Sequence, residues 1–193
     1  MKKINIFCFG FGQVAKNFIK KINTEKFSIN LSVTTREQSK AKQFNEIKYN
    51  NFIFNDEIFD NGLIENLKNS DHILISIPPI NGKDIVIKYF GEVIKECNPK
   101  WITYLSATSV YGDHKGEWVN EESETNPKST SGVGRLKAEK SWITFTANSK
   151  LPFQIFRLSG IYSNQKNILA RLKSGNVNLI NKKNQFFSRI HVE

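Results

Sequence analysis

The feature that most restricts how this chain folds is a regular exchange between two hydrophobic periods. Short apolar or β-branched runs alternate with segments whose apolar residues recur every three to four positions. The first run, residues 3–9, ends in Gly10-Phe11-Gly12, and the next ten residues carry Val14, Ala15, Phe18, Ile19 and Ile22 at helical spacing. The same reading predicts strands over residues 29–34 and 51–54, a short helical piece over 39–44 and a helix over 58–67. Residues 71–77 form a nearly continuous apolar run stopped by Pro78-Pro79, the pattern of a strand buried on both faces of a parallel sheet. A helix over 84–97, a fifth strand over 101–105, a polar loop from 113 to about 131, a helix over 133–147 and a sixth strand over 153–158 follow. Strands alternating with helices imply right-handed βαβ units, so the expected fold class is α/β: a doubly wound parallel Rossmann sheet with helices on both faces. After Leu158 the pattern loosens into a helix over 167–172 and a short strand over 178–180.

Composition narrows the class further. A chain of 193 residues with 39% hydrophobic and 24% charged residues can build a core, which excludes disordered, collagen-like and disulfide-stapled chains. Cys8 and Cys97 are too few for a disulfide framework and lack metal-ligand spacing, so a reducing, cytoplasmic setting and no metal are expected. No run approaches the ~20 apolar residues that span a bilayer. Met1-Lys2-Lys3 before an apolar run has the outline of a secretory signal, but the run leads straight into a glycine turn and reads better as a strand. The formal charge of +10 raises nucleic-acid binding, with Lys16, Lys20 and Lys21 aligned on the first helix. No base-stacking aromatics accompany them, and the excess lies at the two ends of the sequence, so nucleic acid is not an expected partner.

The first turn carries the most specific chemistry. Gly10, Phe11, Gly12, Gln13, Val14 and Ala15 make a G-x-G-x-x-A pattern between a strand and a helix. Free N–H groups at that helix N-terminus suit a pyrophosphate, and glycines let it approach the backbone, so a dinucleotide is expected in preference to a merely structural turn. Where NAD-binding chains place an acidic residue at the end of the second strand, this one has Thr34, Thr35 and Arg36. Two hydroxyls and a guanidinium suit a 2′-phosphate, so NADP is expected over NAD. Asp56, just after the third strand, is placed to be the N-cap of the helix over 58–67.

Four segments together resemble the short-chain dehydrogenase/reductase superfamily, in its extended and atypical branch of NAD-dependent epimerase/dehydratase-like proteins. They are the glycine turn, Leu105 to Gly112 with its Ser-x-x-x-Val-Tyr-Gly pattern, Arg135 to Glu139 with Ala-Glu on a helix, and Arg157-Leu158-Ser159-Gly160-Ile161-Tyr162. Arg189-Ile190-His191-Val192 is similar to a further motif of that branch. The resemblance implies an NAD(P)-binding domain over 1–162 and the start of a partial, truncated substrate lobe over 163–193. It adds Ile77, Pro78, Pro79, Ser106, Leu158, Gly160 and Ile161 to the cofactor contacts, and Asp56 at the adenine edge as an equal alternative to its N-cap reading. Its implied substrate is a small molecule, a sugar nucleotide or a ketone, with a homodimer as one assembly open to it.

The family's proton relay uses a Ser or Thr with a Tyr and a Lys, and those positions fall here at Ala107, Ser131 and Arg135. An aliphatic hydroxyl is far harder to ionise than a phenol with a pKa near 10, so Ser131 does not replace the tyrosine. The resemblance therefore implies an oxidoreductase or epimerase with a rearranged site shared among Thr108, Ser109, Tyr111, Ser131, Arg135 and Lys137. The alternative is an NADP-binding sensor or partner-binding module without turnover. Asp113-His114, in the loop after Val-Tyr-Gly, is a weaker general-base candidate.

Overall fold

The computed structural model describes residues 3–25, 27–37, 43–175 and 186–193. Nine strands are described: β1 (Ile4–Phe9), β2 (Ile29–Thr35), β3 (Gln43–Phe44), β4 (Ile47–Ile53), β5 (His72–Ile75), β6 (Trp101–Ala107), β7 (Phe153–Leu158), β8 (Gly160–Tyr162) and β9 (Arg189–His191). The helices are α1 (Gln13–Thr24), α2 (Gly62–Lys68), α3 (Ile85–Cys97), α4 (Thr130–Ser149) and α5 (Ile168–Lys173), with a 3-10 turn at Thr108–Val110. The main sheet has the order β3-β4-β2-β1-β5-β6-β7 and is parallel except for β3, while β8 and β9 form a separate parallel ribbon.

The apolar run over residues 3–9 becomes a central strand, paired with β2 on one edge and β5 on the other and buried on both faces. Phe7, Cys8 and Phe9 have no exposed surface. Phe7 and Phe9 face α2, α3 and α4, where they join Phe54, Phe90 and Trp142 in one core. Ile6 and Cys8 face α1 and pack with Ala15, Ile19, Leu31 and Val33 in a second core. Burial pushes the Cys8 thiol up to about 12, so it stays an inert thiol in this core.

Three expected elements are corrected. The helical piece over 39–44 is not seen where it can be checked: Gln43 and Phe44 form β3, antiparallel to the start of β4, and residues 39–42 lie outside the described residues. Asn45 and Glu46 both take positive φ, the two-residue hairpin turn that matches strand twist, and this reversal also starts β4 four residues earlier than the apolar run suggests. The helix over 58–67 begins only at Gly62, because the Asn55 side chain accepts from the amides of Glu57 and Ile58 and holds that stretch in a turn. The strand expected over 178–180 lies outside the described residues.

Asp84 starts α3 as an N-cap, accepting from the amides of Val86 (2.9 Å) and Ile87 (3.0 Å). Burial raises its pKa above the usual carboxylate value. A carboxyl raised on folding favours the folded state most when protonated, and that contribution is lost as pH rises from the unfolded value through the folded one. Asp84→Asn keeps the acceptor and removes the buried charge. In urea unfolding it is expected to be at least as stable as the parent at pH 7, with the advantage shrinking on acidification. Asp84→Ala is expected to lose about 0.5–2 kcal/mol with the cap.

Candidate functional site

The strand order reverses direction between β1 and β5, and a crevice at the carboxyl ends of strands at such a switch point is where open α/β sheets bind ligands. The glycine turn sits there. Gly10 has φ +86°, and a Cβ on it would lie 2.7 Å from Ile77 Cγ2 and 2.8 Å from Ser76 Oγ. Its amide donates to Thr34 Oγ1 at 2.8 Å, and Ser76 Oγ lies 3.1 Å from the Phe9 carbonyl and 3.0 Å from that of Gly10. The turn is thus pinned from both neighbouring strands. Gly12, by contrast, is the N-cap of α1, makes no side-chain cap, and has nothing within 4 Å of where its Cβ would stand. No side chain caps the N-terminus of α1, and no acidic residue lies in its first turn.

Two buried polar atoms from the expected cofactor set, Gln13 Nε2 and Ser106 Oγ, meet no hydrogen-bond partner among the described residues. An open helix N-terminus, a glycine cradle and orphaned polar groups fit a dinucleotide. Phe11 contributes backbone only: its ring turns away onto Phe44 and Tyr49, at centroid distances of 5.5 and 5.2 Å. Val14 packs into the core beneath α1. Ile77 lies against Gly10, Pro79 lies near Gly134, and Pro78 is exposed beside them.

At the end of β2 the expectation for Thr34 is corrected. Thr34 is 1% exposed and its hydroxyl oxygen accepts from Gly10, so it holds the turn rather than reaching a 2′-phosphate. Thr35 donates its hydroxyl to the Glu37 carbonyl at 2.7 Å and lies 3.1 Å from Asn51 Oδ1. Arg36 is exposed at the strand end. Asp56 is not the N-cap of α2, a position held by Asn61; it pairs with Lys88 at 3.4 Å, and its carbonyl accepts from Tyr89 Oη at 2.6 Å.

The six candidate catalytic positions divide into two groups. Thr108, Ser109 and Tyr111 line one open cleft of about 1270 Å³ together with Arg157, Leu158 and Gly160. Ser131, Arg135 and Lys137 are not on its walls. Ser131 is exposed in the first turn of α4, which packs on the 3-10 turn through Gly132 against the Ser109 carbonyl. Arg135 Nη1 donates to the Leu105 carbonyl at 3.0 Å, and Lys137 runs its aliphatic stem toward Gly82 in the loop after β5. Ile161 lies in β8 beside Ile190. Ala107 ends β6 with no hydroxyl to offer. Tyr104 has no exposed surface, and burial and the neighbouring Asp84 raise its phenol above the usual pKa.

The sequence reading missed the pair that organises this end of the sheet. Glu139 is 1% exposed and accepts from Arg157 Nη2 at 2.9 Å and from its Nε at 3.2 Å. The guanidinium lies 4.8 Å from the centre of the Tyr111 ring. These hydrogen bonds to Glu139 raise the Arg157 pKa further. The available signal was Glu139 beside Ala138 on the apolar side of α4, where an unpaired carboxylate would not be tolerated. His114 serves the loop: its Nε2 stands 3.2 Å from the Tyr111 carbonyl and 3.1 Å from that of Glu124, so it donates and stitches residues 111–124 together. Among the described residues there is no His, Cys, Asp and Glu group placed to hold a metal ion and no helix long and apolar enough to cross a membrane.

No protein-family model and no curated protein matches the chain. A functionally unknown conserved protein from Silicibacter pomeroyi matches in structure with 30% identity and a TM-score of 0.81, over 98% of this chain and 64% of its own. UDP-N-acetylglucosamine 4-epimerase from Methanobrevibacter ruminantium M1, in complex with UDP-N-acetylmuramic acid, matches at 15% identity and TM-score 0.75 over 100% of this chain and 70% of its own. UDP-glucuronic acid 4-epimerase from Bacillus cereus, in complex with NAD, matches at 17% identity and TM-score 0.66 over 82% and 57%. The chain spans less than two thirds of the length of the Silicibacter pomeroyi protein. Its seven-stranded sheet and flanking helices are the Rossmann-like α/β fold that these nucleotide-sugar epimerases share.

Proposed function

We propose that the chain is the nicotinamide-dinucleotide-binding part of an atypical short-chain dehydrogenase/reductase, an oxidoreductase- or epimerase-like enzyme acting on a sugar nucleotide or a ketone. The observation that carries this reading is the open N-terminus of α1 at the switch point, behind a Gly10 turn pinned by Thr34 and Ser76. Residues 1–162 hold the cofactor in this reading, and 163–193 begin the substrate lobe. The epimerases of the same fold, one of them in complex with NAD, support the class of chemistry.

When bound, the nicotinamide takes or gives a hydride. The chain's residues do the rest: the amides of Gly12, Gln13 and Val14 hold the pyrophosphate, and Ser106 and Gln13 offer their unpartnered polar atoms. Tyr111 is the phenol on the cleft wall and can hold a proton at Oη, with Thr108 and Ser109 beside it and Arg157 fixing the ring. NADP is the cofactor of this proposal, with Arg36 as the charged donor to the 2′-phosphate, since Thr34 is spent on the turn.

The test is titration of the purified chain with NADPH and NADH by cofactor fluorescence, followed by hydride exchange with UDP-sugars and simple ketones. Arg36→Ala is expected to weaken NADPH about ten- to a hundredfold, in line with about 1.5–3 kcal/mol for a charged hydrogen bond, and to leave NADH within twofold. Equal losses for both cofactors would overturn the NADP assignment. Binding with no exchange on any substrate would overturn the enzyme reading.

A further inference from the structure

The amino ends of β1, β2 and β4 are polar on a face that is normally apolar, since strands of a helix-covered parallel sheet read as continuous hydrophobic runs. Ile6, Leu31 and Tyr49 turn to the core beneath α1, so their neighbours Asn5, Asn30, Ser32 and Asn50 lie on the side of α2. Asn5 stands opposite Asn30, and Ser32 opposite Asn50, in the strand register. From α2, which also buries Leu63 and Leu67, Asn66 faces them. Between the two elements lies a pocket of about 410 Å³.

Its walls are held in place by the protein itself. Asn66 Oδ1 accepts from Ser32 Oγ at 3.2 Å and from Asn50 Nδ2 at 3.0 Å, while its own Nδ2 donates to the Gly62 carbonyl at 3.0 Å. Ser70 Oγ donates to the Asn66 carbonyl at 3.0 Å, and Asn30 Nδ2 to Asn5 Oδ1 at 2.8 Å. Ser32 and Ser70, 8% and 6% exposed, form the floor. Asn5 Nδ2, Asn30 Oδ1 and Asn50 Oδ1 make no hydrogen bond among the described residues, which leaves one donor and two acceptors on fixed side chains. Preorganised side chains with spare, mixed hydrogen-bonding capacity are what a small polar ligand needs.

We propose that this pocket binds a neutral polyhydroxylated molecule of one or two rings. Hydroxyl groups both donate and accept, and so match the mixed set of free carboxamide atoms. Lys48 and Glu65 are the only charged residues on the walls and are opposite in sign, so a charged ligand of either sign meets a like charge. Tyr49, the one aromatic residue among those lining the pocket, turns its ring onto Phe11, which leaves no face for a nucleobase. The volume is at the small end for ligand pockets. Gly10 lies about 17 Å from Asn5 along β1, at about 3.3 Å per residue, so the pocket is separate from the dinucleotide crevice.

Three probes share one ring and differ in charge: glucose, glucuronate and glucosamine. Isotope-labelled protein is titrated with each, and nuclear magnetic resonance follows the side-chain amides of Asn5, Asn30 and Asn50 together with the backbone amides of residues 10–14. Glucose is expected to move the side-chain signals saturably, to leave residues 10–14 unmoved, and to bind about tenfold more tightly than either charged sugar, the scale of one hydrogen bond. Asn30→Leu and Asn50→Leu are each expected to abolish the remaining shifts; both positions are exposed and outside the core, and Asn148→Leu, at an exposed position of α4, leaves binding intact. Absence of saturable glucose binding overturns the proposal and marks the asparagines as a solvated end of the sheet. So does glucose binding that persists in both leucine variants or moves residues 10–14 instead. Glucosamine or glucuronate binding as tightly as glucose overturns it as well, the latter being what a chain at +10 would do without a built site. Dinucleotide binding is read at the other end of the sheet and stands or falls separately.

Discussion

Glu139→Ala is expected to lower the unfolding free energy by about 3–5 kcal/mol, the usual consequence of removing one partner of a buried ion pair. Glu139 is 1% exposed, and its carboxylate takes both Nε and Nη2 of Arg157. Truncation strands a guanidinium between α4 and the end of β7, where desolvation is already under way, and opens a void on the core side of α4. Arg157 keeps some contact with solvent, with 20% of its side chain exposed, which places the loss toward the lower end of that range. The Glu139→Leu/Arg157→Met double variant is expected to recover most of the loss, since an apolar pair leaves no uncompensated charge. Urea unfolding of the two singles and the double measures this directly. A loss below about 1 kcal/mol for Glu139→Ala would mean that water screens the pair as it does at a surface. Because the guanidinium also supports the Tyr111 ring, the single variant should disturb the cleft even where the chain remains folded.

Gly10→Ala is the second large effect, at about 2–5 kcal/mol of destabilisation. Left-handed backbone costs an L-residue about 1–2 kcal/mol, and an added methyl in a filled site about 1–3 kcal/mol more. The methyl would meet Ile77 Cγ2 and Ser76 Oγ at 2.7 and 2.8 Å, and Ser76 cannot swing away without leaving the carbonyls of Phe9 and Gly10. Gly12→Ala provides the contrast. Its φ of −80° suits alanine and no atom lies within 4 Å, so stability should change by less than about 0.5 kcal/mol. Its new methyl would nevertheless stand where a phosphate must approach the amides of α1, so NADPH binding should fall sharply. Comparable stability losses at both glycines would show that the turn is not pinned as described.

The fold was readable in the sequence wherever a run had to be buried. β1, β5, β7 and α3 carry their periodicity plainly because both faces, or one broad face, meet the core. The misread stretch around residues 39–53 is governed by something else: a hairpin formed by left-handed Asn45 and Glu46 on a half-exposed edge, where apolar spacing carries little information. In the site, the glycine turn was legible because its chemistry is local. The destination of each hydroxyl was not. Thr34 looks like a ligand residue until Gly10, 24 positions away, is brought against it, and Glu139 has no visible partner until β7 brings Arg157 across. Both depend on partners that only the sheet brings near.

The central position of β1 also sets the order in which the molecule can assemble. During synthesis β1 meets β2 early, but its other edge closes only when β5 arrives; the Ser76 amide that bonds the Phe9 carbonyl is 67 residues downstream. At about 5–20 residues per second, ribosomal synthesis leaves that edge, with Phe7 and Phe9 in it, unpaired for roughly 3–13 s. During that interval the most apolar part of the future core is a sticky strand on a nascent chain, so the yield of folded protein depends on translation speed and chaperone capture over this stretch.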